Sequence, residues 1–220
     1  RVYNYAFNPE NTAFLTPYRA SIAALNTGNS LRYYPGSPEI MRSMARANDR
    51  LVLCELHKED AAHLRWRYAR DERVKVCELD GWTGLNAFIP PKERRGIVLI
   101  DPPFEQPNEF DRIYQGLTSA YKKWETGLYM LWYPIKHRAD TDVFIQRMKS
   151  HAIPKMLQVE LYIQEPNTSN QLNGTGLLII NPPWLLEEEL CSLLPELNSA
   201  LQNGTQGGWK VENIGVQSQL

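Results

Sequence analysis

Gly96-Ile97-Val98-Leu99-Ile100-Asp101-Pro102-Pro103-Phe104 is the most informative run of the chain. Four large apolar residues precede an aspartate, with no charge among them. Such a run predicts a strand buried on both faces, as in the centre of a parallel sheet. It ends on a carboxylate, and the two prolines that follow can neither donate a ladder hydrogen bond nor continue the strand. Phe104 closes the motif with a ring. In open α/β sheets ligands gather at the carboxyl ends of the strands, so an acid, a rigid turn and an aromatic there mark a candidate site.

The flanking sequence repeats the pattern. Upstream, residues 50–55 are a short apolar run ending on Glu55, residues 57–70 a charged helix, and residues 74–79 a strand followed at once by Asp80-Gly81. Residues 90–95 read as a loop. Nearer the start, Thr16-Pro17 predicts the opening of a helix through Ala24, and Pro38 the opening of another through Arg46. Downstream, Phe110, Ile113, Leu117 and Tyr121 recur at helical spacing across residues 109–124. Residues 128–133 predict a strand ended by Pro134, residues 141–150 a helix, and residues 155–164 an alternating strand. Residues 177–180 form the last predicted strand, and an acidic helix begins at Leu185. Asn173-Gly174-Thr175-Gly176 reads as the turn joining the last two strands in an antiparallel hairpin at the sheet edge. Strands alternating with helices predict an α/β, doubly wound sheet.

Composition narrows the function classes. With 220 residues and 43% hydrophobic content the chain can build a substantial core. A formal net charge of -1 excludes a strongly basic coat, so any nucleic-acid surface is a local patch. Cys54, Cys77 and Cys191 show no C-x-x-C spacing and read as reduced thiols of a cytoplasmic protein. Asn167, Asn173 and Asn203 open glycosylation-like triplets, read as turns. No apolar run reaches membrane-spanning length. His57 and His63 have no partners at metal-ligand spacing, and no metal is expected. The six tryptophans read as core or interface residues.

Three successive strands end on acids: Glu55, Asp80 and Asp101. Parallel strands would bring these carboxylates to one sheet edge. A carboxylate after such a strand can accept both hydroxyls of a ribose, and an Asp followed by Gly can accept from an adenine amine where the backbone approaches closely. Neither G-x-G-x-x-G nor a Walker sequence is present, so dinucleotide redox and phosphate-loop chemistry are not indicated. Asp101-Pro102-Pro103-Phe104 suits methyl transfer to an exocyclic amine. The Asp101 carboxylate and Pro102 carbonyl would take the two N–H groups, aim the nitrogen lone pair and receive the proton, while Phe104 stacks on the base. Asn181-Pro182-Pro183-Trp184 offers similar chemistry. It stands too near the end of the chain to be followed by the rest of such a sheet, and reads as structural or substrate-facing.

These stretches together resemble one family, the bacterial 23S ribosomal RNA adenine-N6 methyltransferases, earlier described as proteins for catabolism of external DNA. The resemblance rests on residues 31–38 (Leu-Arg-Tyr-Tyr-Pro-Gly-Ser-Pro), Glu55-Leu56-His57, Asp80-Gly81, residues 94–104, Leu131-Trp132-Tyr133-Pro134 and residues 176–184. The Asp-Pro-Pro-Phe string is common to adenine-N6 and cytosine-N4 methyltransferases; the Tyr-Tyr-Pro-Gly-Ser-Pro and Trp-Tyr-Pro strings are narrower. The resemblance implies a Rossmann-like sheet with a terminal antiparallel hairpin and S-adenosylmethionine as cofactor. Ser37, Glu55, Asp80, Gly81 and Asp101 are expected to contact the cofactor, and Asp101, Pro102 and Phe104 to act on the target amine. The expected partner is 23S ribosomal RNA, and the expected state a cytoplasmic monomer without metal or membrane. Phe104 stands where the family often has tyrosine.

The family also has a substrate-touching N-terminal segment, a first strand and an Asp-x-His-Ala-Gly-x-Gly loop. Nothing similar precedes Tyr33. Residues 1–30 are therefore expected to be a helical insertion and residues 31–220 the catalytic domain, within a longer protein that is needed for cofactor binding. A DNA adenine-N6 methyltransferase, and a non-enzymatic protein for use of external DNA, are the alternatives. Among basic clusters, Lys92, Arg94 and Arg95, and Lys122-Lys123, read as solvated. Lys136-His137-Arg138 follows a strand end and is the candidate for meeting phosphate.

Overall fold

A computed structural model of the chain describes residues 2–26, 30–106, 108–164, 171–202 and 207–216. Two compact units divide it: residues 6–87, and residues 1–5 with 88–220. The candidate turns at Asn167 and Asn203 lie outside the described residues.

The unit of residues 6–87 begins with α1 (Pro9–Ala23), which starts well before Thr16-Pro17. Asn8 caps it, its side chain accepting from the Asn11 N–H at 2.8 Å. Pro9 occupies a first-turn position, where its missing N–H costs nothing. Pro17 is thus inside the helix, and Thr16 donates its hydroxyl to the Thr12 carbonyl at 2.8 Å. Next come α2 (Ser37–Met44), β1 (Leu51–Glu55), α3 (Lys58–Arg67) and β2 (Val74–Glu78). β1 and β2 pair in parallel from Leu51↔Val74 to Glu55↔Glu78. Cys54 and Cys77 are register partners, both reduced and half-buried, while Cys191 is exposed.

One helix escaped the sequence reading. α4 (Gly81–Phe88) follows Asp80 directly. The Asp80 carboxylate accepts from the Thr83 N–H at 3.0 Å and its hydroxyl at 3.1 Å, which caps the helix start.

The second unit holds β3 (Ile97–Ile100), α5 (Glu109–Lys123), β4 (Leu128–Ile135), α6 (Arg138–Lys149), β5 (Met156–Tyr162), β6 (Gly174–Ile180), α7 (Leu186–Leu201) and β7 (Gly208–Asn213). Its sheet has the order β3-β4-β6-β5-β7. β3 and β4 are parallel; β6 runs antiparallel to both β4 and β5, and β7 antiparallel to β5.

Three features differ from expectation. β3 borders this sheet instead of lying at its centre, and Ile97 and Leu99 are 52% and 36% exposed. An uncharged run registers that both faces lack charge, not that both are covered. The β5–β6 pair is antiparallel as expected, but β6 sits inside the sheet and β7 forms the other border. Gly174 and Gly176 belong to β6 and not to the turn. A Cβ on Gly176 would lie 2.1 Å from the Tyr133 ring, so this glycine serves close packing. Pro134 does not end β4 either. It pairs with Thr175 of β6, beyond the last β3 partner at Leu131, where no β3 ladder bond needs its N–H.

The core of this unit alternates along β4. Tyr129, Leu131, Tyr133 and Ile135 are fully buried, with Ile113 and Leu117 of α5 and Met148 of α6 equally enclosed. On the other face, Leu128 and Met130 pack with Leu157, Val159, Ile179 and Leu194, the last from α7. Among the described residues, no helix is long and apolar enough to cross a membrane.

Candidate active site

Asp101 follows Ile100, the last paired residue of β3. Burial raises its carboxyl above the ordinary aspartate range, although the residue retains an exposed surface. Pro102 is buried and Pro103 exposed. Phe104 has φ 53°, a left-handed conformation that costs a ring-bearing residue about 1–3 kcal/mol. Packing holds it there. The Phe104 ring meets Phe110 edge-on at 5.2 Å and Trp132 at 5.9 Å between centroids. Phe110 in turn stacks on Phe144 at 4.9 Å. The turn after β3 is therefore fixed by two prolines and a cluster of rings from α5, α6 and β4.

The register separates the two Pro-Pro motifs. Asp101 stands at the end of the sheet where β4 finishes, because β3 and β4 are parallel and Ile100 pairs with Leu131. Asn181 stands where β4 begins, because Ile180 pairs with Tyr129. Its side-chain amide donates to the carbonyls of Glu125 at 2.7 Å and Gly127 at 2.8 Å, and its φ is 56°. Asn181 thus ties the turn before β4, a structural task at the opposite edge from Asp101. Trp184 is 93% exposed.

In the unit of residues 6–87, the parallel register brings Glu55 and Asp80 to one end of β1–β2. Glu55 accepts the His57 N–H at 2.7 Å. A Cβ placed on Gly81 meets nothing within 4 Å, so open space lies beside the Asp80-Gly81 backbone. Ser37 is the first residue of α2, half-buried and next to the extended Gly36. Tyr33 and Tyr34 before it are 67% and 69% exposed. Of the three strand-end acids, the structure groups Glu55 with Asp80; Asp101 belongs to the other unit, with Pro102 and Phe104.

α2 is held by a charge cluster that sequence patterning did not reveal. The buried Glu39 carboxylate binds Arg42 at 2.6 Å, Arg67 at 3.1 Å and the Tyr68 hydroxyl at 3.1 Å. Burial opposes ionisation of Glu39, but the two guanidiniums and the hydroxyl outweigh it and hold the carboxyl below its usual range.

The basic clusters sort differently from each other. Lys92, Arg94 and Arg95 are exposed in the loop before β3. Lys122 and Lys123 occupy the last turn of α5, where cations favour the helix dipole. In the third cluster Lys136 and His137 are exposed, but Arg138 is committed to the fully buried Glu160. Glu160 also accepts from Tyr133 at 3.0 Å and Gln158 at 2.8 Å. Arg138 therefore anchors the loop between β4 and α6, which leaves Lys136 and His137 as the exposed side chains of this cluster.

This architecture is that of an α/β methyltransferase. The solved structure of protein LPL1258 from Legionella pneumophila superimposes with a TM-score of 0.84 at 34% identity, covering 91% of this chain and 74% of that one. The family model described as "Ribosomal RNA large subunit methyltransferase D, RlmJ" matches residues 6–215, and the chain belongs to that family. Two relatives are each named "Ribosomal RNA large subunit methyltransferase J". The Escherichia coli protein is 39% identical over 189 residues, 86% of this chain and 68% of the relative. The Haemophilus influenzae protein is 37% identical over 215 residues, 97% of this chain and 75% of the relative.

Proposed function

We propose that the chain transfers a methyl group from S-adenosylmethionine to the N6 amine of an adenine in 23S ribosomal RNA. The observation that carries this reading is the turn at Asp101–Phe104, a strand-end carboxylate with raised proton affinity beside a ring locked in a left-handed conformation. Family membership supports the substrate class.

The chemistry follows from the groups present. Adenine N6 is a weak nucleophile because its lone pair is delocalised into the ring. The Asp101 carboxylate and the Pro102 carbonyl accept its two N–H groups and aim the lone pair away from them. Asp101 takes the proton as the nitrogen becomes cationic; a carboxylate whose proton affinity is already raised does this more readily. Phe104 stacks against the base once it is extruded. S-adenosylmethionine, when bound, supplies an electrophilic methyl on a sulfonium. Glu55 suits the ribose hydroxyls, and Asp80 with Gly81 suits the adenine, since the open space beside Gly81 admits a flat ring near the backbone. Ser37 contributes a hydroxyl from the start of α2.

Radiolabelled methyl transfer to 23S ribosomal RNA from a strain lacking the gene tests the reading. Digestion of the product is expected to yield labelled N6-methyladenosine. Label on duplex DNA alone, or on a different nucleoside, would overturn it.

A further inference from the structure

We propose that Trp132 is a second aromatic contact for the target nucleobase, forming with Phe104 an angled corner beside Asp101 that receives an extruded purine. The proposal rests on the methyl-transfer reading above.

Its placement sets Trp132 apart from core tryptophans. Trp132 follows Leu131, the partner of Ile100, so it stands one residue past the last β3–β4 pair, as Asp101 does. Its neighbours Leu131 and Tyr133 are fully buried, whereas Trp132 is only half-buried. Along its own face of β4, Leu128 and Met130 pack into the apolar cluster beneath α7. Trp132 is the next residue on that face, and its ring neighbour is Phe104, at 5.9 Å with an interplanar angle of 73°. Two rings nearly perpendicular cannot both stack on one base. One offers its face and the other its edge or N–H, which gives a corner instead of a slot. Among the described residues the indole N–H has no protein acceptor, so it remains available to a purine ring nitrogen.

Phe104 is pinned from its other side by Phe110, which stacks on Phe144. The corner is therefore rigid on the Phe104 wall and partly open on the Trp132 wall. Such a surface orders the base relative to Asp101 before the methyl moves.

The test compares Trp132→Phe with Trp132→Leu in the intact protein. Both fill apolar volume, but only phenylalanine keeps a π face. Transfer to transcribed 23S ribosomal RNA is measured with KM for RNA and KM for S-adenosylmethionine taken separately, beside thermal melting. Trp132→Leu is expected to lower kcat/KM for RNA by about tenfold to a hundredfold, the effect of losing one base–aromatic contact. KM for S-adenosylmethionine stays unchanged, and Trp132→Phe restores most of the loss. Equal losses in both variants with melting retained, or an unchanged kcat/KM for RNA in Trp132→Leu, would overturn the proposal. A Phe104→Ala background separates contact from mere support. If Trp132 touches the base, Trp132→Leu still costs activity there; if it only props Phe104, the second change costs nothing and the proposal fails. Failure of the underlying reading shows differently, as wild-type protein that labels no ribosomal RNA while its melting is normal.

Discussion

Asp101 is where the chemical claim is sharpest. Its raised carboxyl means that folding disfavours the charged form, so stability from this group is full at low pH and declines as pH rises through its folded value. Asp101→Asn should accordingly leave the melting temperature unchanged or slightly higher. It should also cut methyl transfer by about 10²–10⁴-fold, the span of a lost general base. In the wild type, kcat/KM should fall as pH drops through a point above the ordinary aspartate value near 3.9. A profile flat down to that ordinary value would argue against Asp101 as the proton acceptor. On the cofactor side, Glu55→Gln should weaken S-adenosylmethionine binding about tenfold or more, the loss of a charge-assisted hydrogen bond, as read by calorimetry on the intact protein. The sequence displayed these acids openly, because each ends an apolar run. It concealed Trp132, since a tryptophan within an apolar run looks like core until its neighbours are known to be more buried.

Among the elements, α2 and β6 carry the clearest stability predictions. Glu39 ties α2 to α3 through Arg42, Arg67 and Tyr68, and its carboxyl is depressed. A depressed carboxyl stabilises above its unfolded value, about 4.3, and that contribution is lost as pH falls through the folded value. Glu39→Gln should cost about 1–3 kcal/mol in denaturant unfolding near neutral pH. That is less than breaking a fully buried pair, because both guanidiniums are partly exposed. Gly176→Ala should be worse than a typical glycine substitution, since its Cβ would meet the Tyr133 ring at 2.1 Å. Overpacking of this kind costs about 1–3 kcal/mol or more. A melting temperature indistinguishable from wild type would contradict the packing described for β4 and β6.

The strands before residue 135 were legible because short apolar runs ended on acids or prolines. β5, α5, α6 and α7 lie close to their expected ranges, and three elements differ for physical reasons. α1 was mislocated because its true cap, Asn8-Pro9, competes with the equally good Thr16-Pro17 pair. α4 is hidden in the sequence because a strand-end aspartate looks the same whether or not its carboxylate caps a following helix, as that of Asp80 does. β7 was missed because Gly208-Trp209-Lys210-Val211-Glu212-Asn213 mixes charges into its alternation, as a border strand does.

For the molecule as a whole, the fold class was readable and its layout less so. The alternation of strands and helices indicated an α/β sheet, and the resemblance implied a methyltransferase; the fold and the family bear out both. A single continuous sheet was expected. The described strands form a two-stranded sheet and a five-stranded one, with β3 at the border of the larger. That difference arises because run length and polarity identify strands but not their partners. The order β4-β6-β5, with β6 inserted between its neighbours, likewise follows from pairing and packing around Gly176 that no local pattern encodes.

Family membership supports methyl transfer to ribosomal RNA, and Asp101 is the residue proposed to receive the proton. The most direct test is complementation of a strain lacking the gene with wild-type or Asp101→Ala protein, followed by mass spectrometry of N6-methyladenosine in 23S ribosomal RNA. Wild type is expected to restore the modification, and Asp101→Ala, folded and at equal abundance, is expected not to. Full modification by the Asp101→Ala protein would contradict it.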